Sequence, residues 1–194
     1  MNILFLTNNS IAYPLYEWLI SNGENVTYCE EKVTADDVLN QNIEFIVSYN
    51  YRFLIAKDVL SLLPHRVVNL HISYLPWNRG ASPNLWSFLE NTPCGVTIHE
   101  VDPSLDTGDI LVQEKLEFDF EKETLRSSYE ESHRTIQRLF RDHWKQIKAG
   151  SISPKKQQGE GTMHRMRDLE TYAPCIDYDL SISEFVRLVK SYGK

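Results

Sequence analysis

A chain of 194 residues, 42% of them hydrophobic and with no compositional bias, is long enough to bury one core and reads as a single domain. Its formal charge of −7 at pH 7 argues against broad nucleic-acid binding, which needs clustered Lys and Arg to neutralise phosphates. Three cysteines, Cys29, Cys94 and Cys175, are odd in number and lack metal-ligand spacing, so they read as free thiols of a reducing cytosol and no metal is expected.

The first twenty residues are apolar, but no basic stretch precedes them and Asn8, Asn9, Pro14 and Glu17 interrupt them. Neither a signal peptide nor a membrane span is expected, and the predicted location is the cytoplasm. Residues 2–7 (NILFLT) predict a strand, and Asn8-Asn9-Ser10 supplies a turn and a helix N-cap before residues 11–23. That turn stands where a dinucleotide-binding protein carries G-x-G-x-x-G, and it holds no glycine. Its side chains either cap the helix or bind a ligand. Residues 26–29 and 43–49 predict two more strands, with a short helix between them after Thr34 that has Asp36 and Asp37 in its first turn. The following SYNYRFL (48–54) reads as a strand end with aromatics filling the core, and residues 57–63 as a short helix ended before Pro64. Strands alternating with helices imply right-handed crossovers and a Rossmann-like α/β fold, a mainly parallel twisted sheet flanked by helices.

The informative stretch comes next. Residues 67–73 (VVNLHIS) read as a strand, whose period of 2 sets Val67, Asn69 and His71 on one side and Val68, Leu70 and Ile72 on the other. An amide and an imidazole on one face of a buried strand are unfavourable unless something polar meets them. They either cap the strand end or mark a site. The strand runs into Leu75-Pro76, where a cis bond is suspected, and Asn78-Arg79-Gly80, so the pair lies at a carboxyl end, where open α/β sheets collect their active sites. Residues 83–90 predict a helix with Pro at its start. Residues 95–101 (GVTIHEV) alternate like a second strand, 102–109 form an acidic loop, and 110–118 make a third strand. If those strands are neighbours, the loop returns Asp106 to the end of the first, and an amide, an imidazole and a carboxylate converge.

Residues 121–150 predict the longest helix, with an apolar stripe of Leu125, Tyr129, Ile136, Leu139, Phe140, Trp144 and Ile147 and a C-cap at Gly150. Residues 153–168 read as a basic loop. A last amphipathic helix starts near Ser181, so the chain divides into a catalytic domain, 1–178, and a helical extension, 179–194.

The ordered set Asn69-Leu70-His71, Ser73-Tyr74-Leu75-Pro76-Trp77-Asn78-Arg79-Gly80 and, about thirty-five residues after His71, Asp106-Thr107-Gly108 resembles the formyltransferases that use 10-formyltetrahydrofolate. The runs PWNRGASPNLW, TPCGVTIHEVD and LDTGDILVQE look most like those of sugar-nucleotide N-formyltransferases, and are similar to the formylation domains of gramicidin-type peptide synthetases. The resemblance covers residues 1–168. It implies the formyltransferase fold and a catalytic trio of Asn69, His71 and Asp106. It also implies a pterin pocket formed by Tyr51, Phe53 and Leu54 and closed by the 102–105 loop with Asp102, Ser104 and Leu105. The acceptor would be an amino-sugar nucleotide met by Arg79, Gly80, Asn84 and Trp86, with Lys155 toward phosphate and Asn8 and Asn9 as further contacts. Simple core packing is the alternative for Trp86. The absence of glycines at residues 7–10 argues against glycinamide ribonucleotide as the acceptor.

Formyl transfer needs a donor for the developing oxyanion and a route for the amine proton to N10 of the folate. Asn69 is the candidate donor, of a kind worth about 2.7 to 4 kcal/mol in the transition state. His71 would act as a second donor or as general base, with Asp106 orienting it. Formylation of an aminoacyl group on tRNA or on a carrier protein, hydrolysis to formate, and a non-catalytic folate-binding module are the alternatives.

Overall fold

The computed structural model describes residues 1–192. In chain order the elements are β1 (Asn2–Leu6), α1 (Tyr13–Ser21), β2 (Asn25–Cys29), α2 (Ala35–Asn40), β3 (Phe45–Tyr49), α3 (Lys57–Leu62), β4 (Val67–His71), β5 (Arg79–Gly80), α4 (Pro83–Glu90), β6 (Cys94–Glu100), β7 (Ile110–Leu116), α5 (Leu125–Ala149), β8 (Met163–His164) and α6 (Ile182–Tyr192). Six strands form one sheet in the order β2-β1-β3-β4-β6-β7, with β1, β2, β3 and β4 paired in parallel, which is the expected α/β architecture. The chain divides into two compact units, each gathered from three stretches of sequence.

The first unit comprises Met1–His71, Ile98–Val112 and Gln137–Gln157. Its inner strands are nearly continuous apolar runs because both faces are covered. On one face Leu4, Ile46 and Val67 pack with Val38 of α2 and Val59 of α3. On the other, Phe5 meets Tyr16 of α1 and Phe45 meets Trp144 of α5 edge-on, at centroid distances of 5.9 and 5.3 Å. A carboxylate lies buried under the same part of α5. Glu24 accepts from Trp144 Nε1 at 3.1 Å and pairs with Lys148 and with the amino terminus. Burial pushes its pKa up, but the hydrogen bonds from Lys148, Trp144 and the terminal amine outweigh that and hold the carboxyl below its ordinary value.

The second unit comprises Ile72–Thr97, Gln113–Ile136 and the described residues from Gln158 onward. Its core joins Leu85, Trp86 and Phe88 of α4 to Leu125 and to Ile182, Phe185 and Val189 of α6, so the last helix buries its apolar stripe there. A polar hub ties its loops together. Asn78, fully buried at φ 57°, donates to Ser87 Oγ and Thr92 Oγ1 and accepts from Thr162 Oγ1, all within 2.9 Å.

Three boundaries differ from expectation. A 3-10 turn capped by Asn9 occupies Ser10–Ala12, and the α-helix begins only at Tyr13, where Pro14 falls in the first turn and its missing N–H is harmless. The long helix begins at Leu125 rather than residue 121, because the Thr124 hydroxyl accepts from Ser127 N and so forms the cap, while residues 119–123 turn back on Asp119. The basic stretch is not all loop: β8 pairs with β5, and Met166–Cys175 is 3-10 helix. The Leu75-Pro76 bond is cis, as suspected.

A carboxyl whose folded pKa lies below its unfolded one stabilises the protein above the unfolded value and loses that contribution as pH falls through the folded one. Glu24→Gln is therefore expected to lower the unfolding free energy by about 2 kcal/mol at pH 7. The gap between wild type and variant should close as pH drops below the ordinary glutamate value of 4.5. Urea unfolding between pH 7 and pH 3 reads this directly, and a gap that stays constant with pH would contradict the assignment.

Candidate active site

The register of the first unit sets up a gradient along one face of the sheet. Leu4, Ile46 and Val67 lie side by side, and two residues further toward the carboxyl ends Leu6, Ser48 and Asn69 lie side by side. The face thus turns from aliphatic to polar where β4 ends, and His71 follows one step beyond Asn69. β4 stops at His71 and not at Ser73.

The loop between β6 and β7 returns Asp106 to this end. Asn69 Nδ2 donates to Asp106 Oδ1 at 3.1 Å, and the second oxygen, Oδ2, lies 3.7 Å from His71 Nδ1. The three side chains named from sequence therefore meet. His71 and Asp106 are well enclosed, with side-chain exposures of 8% and 10%, and Asn69 is half-buried. A fourth belongs with them. His99 of β6, 1% exposed, accepts from Asn69 Nδ2 across 3.2 Å and lies 3.5 Å from Asp106 Oδ1. Its Nδ1 is 2.7 Å from the carbonyl oxygen of Glu100, which can only accept, so Nδ1 carries a hydrogen and Nε2 is the atom that meets Asn69. Sequence reasoning missed His99, although the signal was the one that singled out Asn69: a polar ring inside an apolar alternation, GVTIHEV.

The loop is shaped for this return. Asp106 adopts φ 52°, a left-handed conformation that aspartate tolerates better than most residues. Gly108 passes so close to the preceding strand that a Cβ would lie 1.8 Å from the Glu100 carbonyl oxygen, so glycine is required there. Asp102 braces the entry, accepting from Ser104 N at 3.0 Å and Thr107 Oγ1 at 2.6 Å.

Beside the cluster opens a solvent-open cleft. Tyr51, Phe53, Leu54 and Ile55 line one side and Val101, Asp102, Ser104 and Leu105 the other, with Asn69, His99 and Asp106 also in its wall. All six residues expected around a pterin are among them. Tyr51 is fixed by its phenol, which donates to Glu31 O at 2.6 Å and accepts from Val33 N at 3.0 Å, and burial pushes that phenol up so that it remains a donor. Phe53 stacks edge-on to Tyr51 at 5.4 Å and carries the Arg52 guanidinium over its ring. The wall is thus apolar and rigid on one side, with convergent polar groups at its end, as small-molecule sites are.

The expected acceptor contacts are distributed over both units. In the first, Asn8 holds main chain on two sides, donating to Glu30 O at 2.8 Å and accepting from Arg52 N at 3.0 Å, Asn9 caps the 3-10 turn, and Lys155 pairs through its main chain with Ile110. In the second, Arg79 Nη1 donates to Glu160 O, and Gly80 pairs with His164 in the β5-β8 ladder. Trp86 is buried and stacks on the His164 ring at 3.9 Å, with His164 Nε2 3.2 Å from Glu90. Asn84 Nδ2 and Trp86 Nε1 are buried donors with no hydrogen-bond partner among the described residues.

The family model described as formyl transferase matches residues 20–141. Among solved structures, the formyltransferase PseJ from Anoxybacillus kamchatkensis, crystallised with UDP-4,6-dideoxy-4-formamido-L-AltNAc and tetrahydrofolate, is 40% identical with a TM-score of 0.88, covering 95% of this chain and 97% of that one. A methionyl-tRNA formyltransferase of Lachnospira eligens is 29% identical over 91% of this chain and 57% of its own length. A dTDP-4-amino-4,6-dideoxyglucose formyltransferase of Mycobacterium tuberculosis is 26% identical over 88% of this chain and 76% of its own. The chain spans about half the length of the methionyl-tRNA formyltransferases that it matches. No helix among the described residues is long and apolar enough to cross a membrane.

Gly108→Ala tests the loop geometry. The variant is expected to fold and, in a crystal structure, to show the 102–109 loop displaced and the Asn69 to Asp106 hydrogen bond lost, because its Cβ cannot share space with the Glu100 carbonyl. An unchanged 3.1 Å contact in the variant would refute the steric argument.

Proposed function

Since the chain belongs to the formyl transferase family, we propose that it transfers a formyl group from 10-formyltetrahydrofolate to the amine of a 4-amino-4,6-dideoxy sugar carried by a nucleoside diphosphate. The observation that carries this reading is the meeting of Asn69, His71 and Asp106 beside a cleft walled by aromatic and aliphatic side chains. Such a cleft suits a flat pterin, and the cluster at its end suits a reacting carbonyl. The likeness to PseJ, whose crystal holds a formamido sugar on UDP together with tetrahydrofolate, supports both the acceptor class and the co-substrate. The mycobacterial relative extends the acceptor class to thymidine diphosphate. The formal charge of −7 weighs against a tRNA acceptor. The proposed compartment is the cytoplasm, where three free thiols would stay reduced.

In this reading the amine attacks the formyl carbon, the carbonyl oxygen becomes an oxyanion, and the proton of the attacking nitrogen travels to N10 of the leaving folate. Asn69 is the oxyanion donor. Both of its N–H hydrogens are engaged, one with Asp106 and one with Nε2 of His99, and an oxyanion carrying full charge is the stronger acceptor of the second. Asp106 Oδ2 faces Nδ1 of His71, which leaves Nε2 of that ring to take the amine proton as general base. The 3.7 Å separation is longer than a hydrogen bond, and such contacts tighten when substrate closes the site. Asn84 and Trp86, whose buried donors have no hydrogen-bond partner among the described residues, are assigned to the acceptor.

The test is to incubate the protein with 10-formyltetrahydrofolate and UDP-, dTDP- and GDP-linked amino sugars, following tetrahydrofolate and formate together. Tetrahydrofolate release that requires an amino sugar, without formate, is expected. Turnover on methionyl-tRNA alone, or formate release independent of amine, would overturn the acceptor or the transfer itself. Asn69→Ala should lower kcat by roughly 100- to 1,000-fold through loss of the oxyanion donor. His71→Ala should lower it by roughly 100- to 10,000-fold through loss of the base. Either variant retaining wild-type kcat would remove that residue from the mechanism.

A further inference from the structure

We propose that Gln157 is a positioning residue for Asp106, holding the catalytic loop in its left-handed turn through two main-chain carbonyls. Its Nε2 donates to the carbonyl oxygen of Asp106 at 2.8 Å and to that of Gly108 at 2.9 Å. An amide nitrogen carries two hydrogens, and here each is given to one side of the turn that contains Asp106.

The reach of this side chain follows from register. Ile110 and Lys155 form an antiparallel bridge in which each main-chain N–H meets the other's carbonyl, at 2.7 and 2.8 Å. Two residues further from the bridge in each segment, Gly108 and Gln157 come within reach of each other. The side-chain amide does there what a ladder partner would do, and the same nitrogen extends to Asp106. On its other flank Gly108 lies against the Glu100 carbonyl, so the turn is held from both sides. Without the amide, the Asp106 carbonyl loses its Gln157 donor, and a residue at φ 52° loses a restraint against relaxing to a right-handed conformation. Such relaxation would swing the carboxylate away from Asn69 and His71.

The kinetic arm of the test rests on the formyl-transfer reading, and the structural arm does not. Gln157→Glu keeps the length of the side chain and presents only acceptors to two carbonyls, while Gln157→Asn keeps the amide and falls short by one methylene. Either variant is expected to lower kcat about 10- to 100-fold, the effect of misplacing a catalytic group by about 1 Å, with KM for folate and for the amino sugar within about two-fold of wild type. A residue that only stabilised the fold would lower the melting temperature and leave kcat of the folded enzyme alone. Hydrogen exchange read by mass spectrometry should show residues 102–110 exchanging at least about ten times faster in the variant, with β1 and β3 unchanged. Unchanged exchange in that segment, or kcat within two-fold of wild type in both variants, would overturn the proposal. A wild-type protein inactive on every amine would sink the formyl-transfer reading while the exchange measurement still decided the role of Gln157.

Discussion

A carboxylate enclosed in protein is tolerated only when hydrogen bonds or opposite charges replace the water it has lost, and Asp106 is met by the Asn69 amide at the end of one strand and faced by the His71 imidazole. This requirement organises the site. Asn69 reaches the carboxylate because β4 places it beside Ser48 at the carboxyl end of the sheet, and His99 reaches Asn69 because β6 lies next to β4.

The aliphatic half of the same face supports the polar half. Leu4, Ile46 and Val67 anchor the strands at one end, so the positions two residues on are fixed to within the tolerance of a packed core. The loop that brings Asp106 back is less regular and needs separate restraints: a glycine where the backbone touches Glu100, the Asp102 side chain at the entry and Gln157 at the turn. Precision at the carboxylate comes from these local restraints as much as from the sheet. On the facing wall of the cleft, Tyr51 is held by Glu31 and Val33, which keeps the apolar surface in place without a ligand.

Much of this was legible in the sequence because it follows from local patterning. Asn69 and His71 stood out as polar residues in an aliphatic strand, and Asp106 followed from two strand assignments and an acidic loop. His99 obeys the same rule, a polar ring in an alternating apolar strand, but its place beside Asn69 follows only from the pairing order of the strands. The β5-β8 ladder and the Asn78 hub join residues more than eighty positions apart and leave no local trace. Gly108 could be read as part of a motif, but the carbonyl it avoids belongs to a strand eight residues earlier. α5 starts at Leu125, four residues after the expected start at 121, because its cap is the hydroxyl of Thr124.

If Asn69, His71 and Asp106 surround one reacting carbonyl carbon, a pterin must fill the adjacent cleft. A crystal structure with 5-formyltetrahydrofolate is the decisive measurement. The pterin is expected between Phe53 and Leu105, with the formyl oxygen about 3 Å from Asn69 Nδ2. A folate bound elsewhere, or one in the cleft with its formyl group turned away from all three side chains, would contradict it.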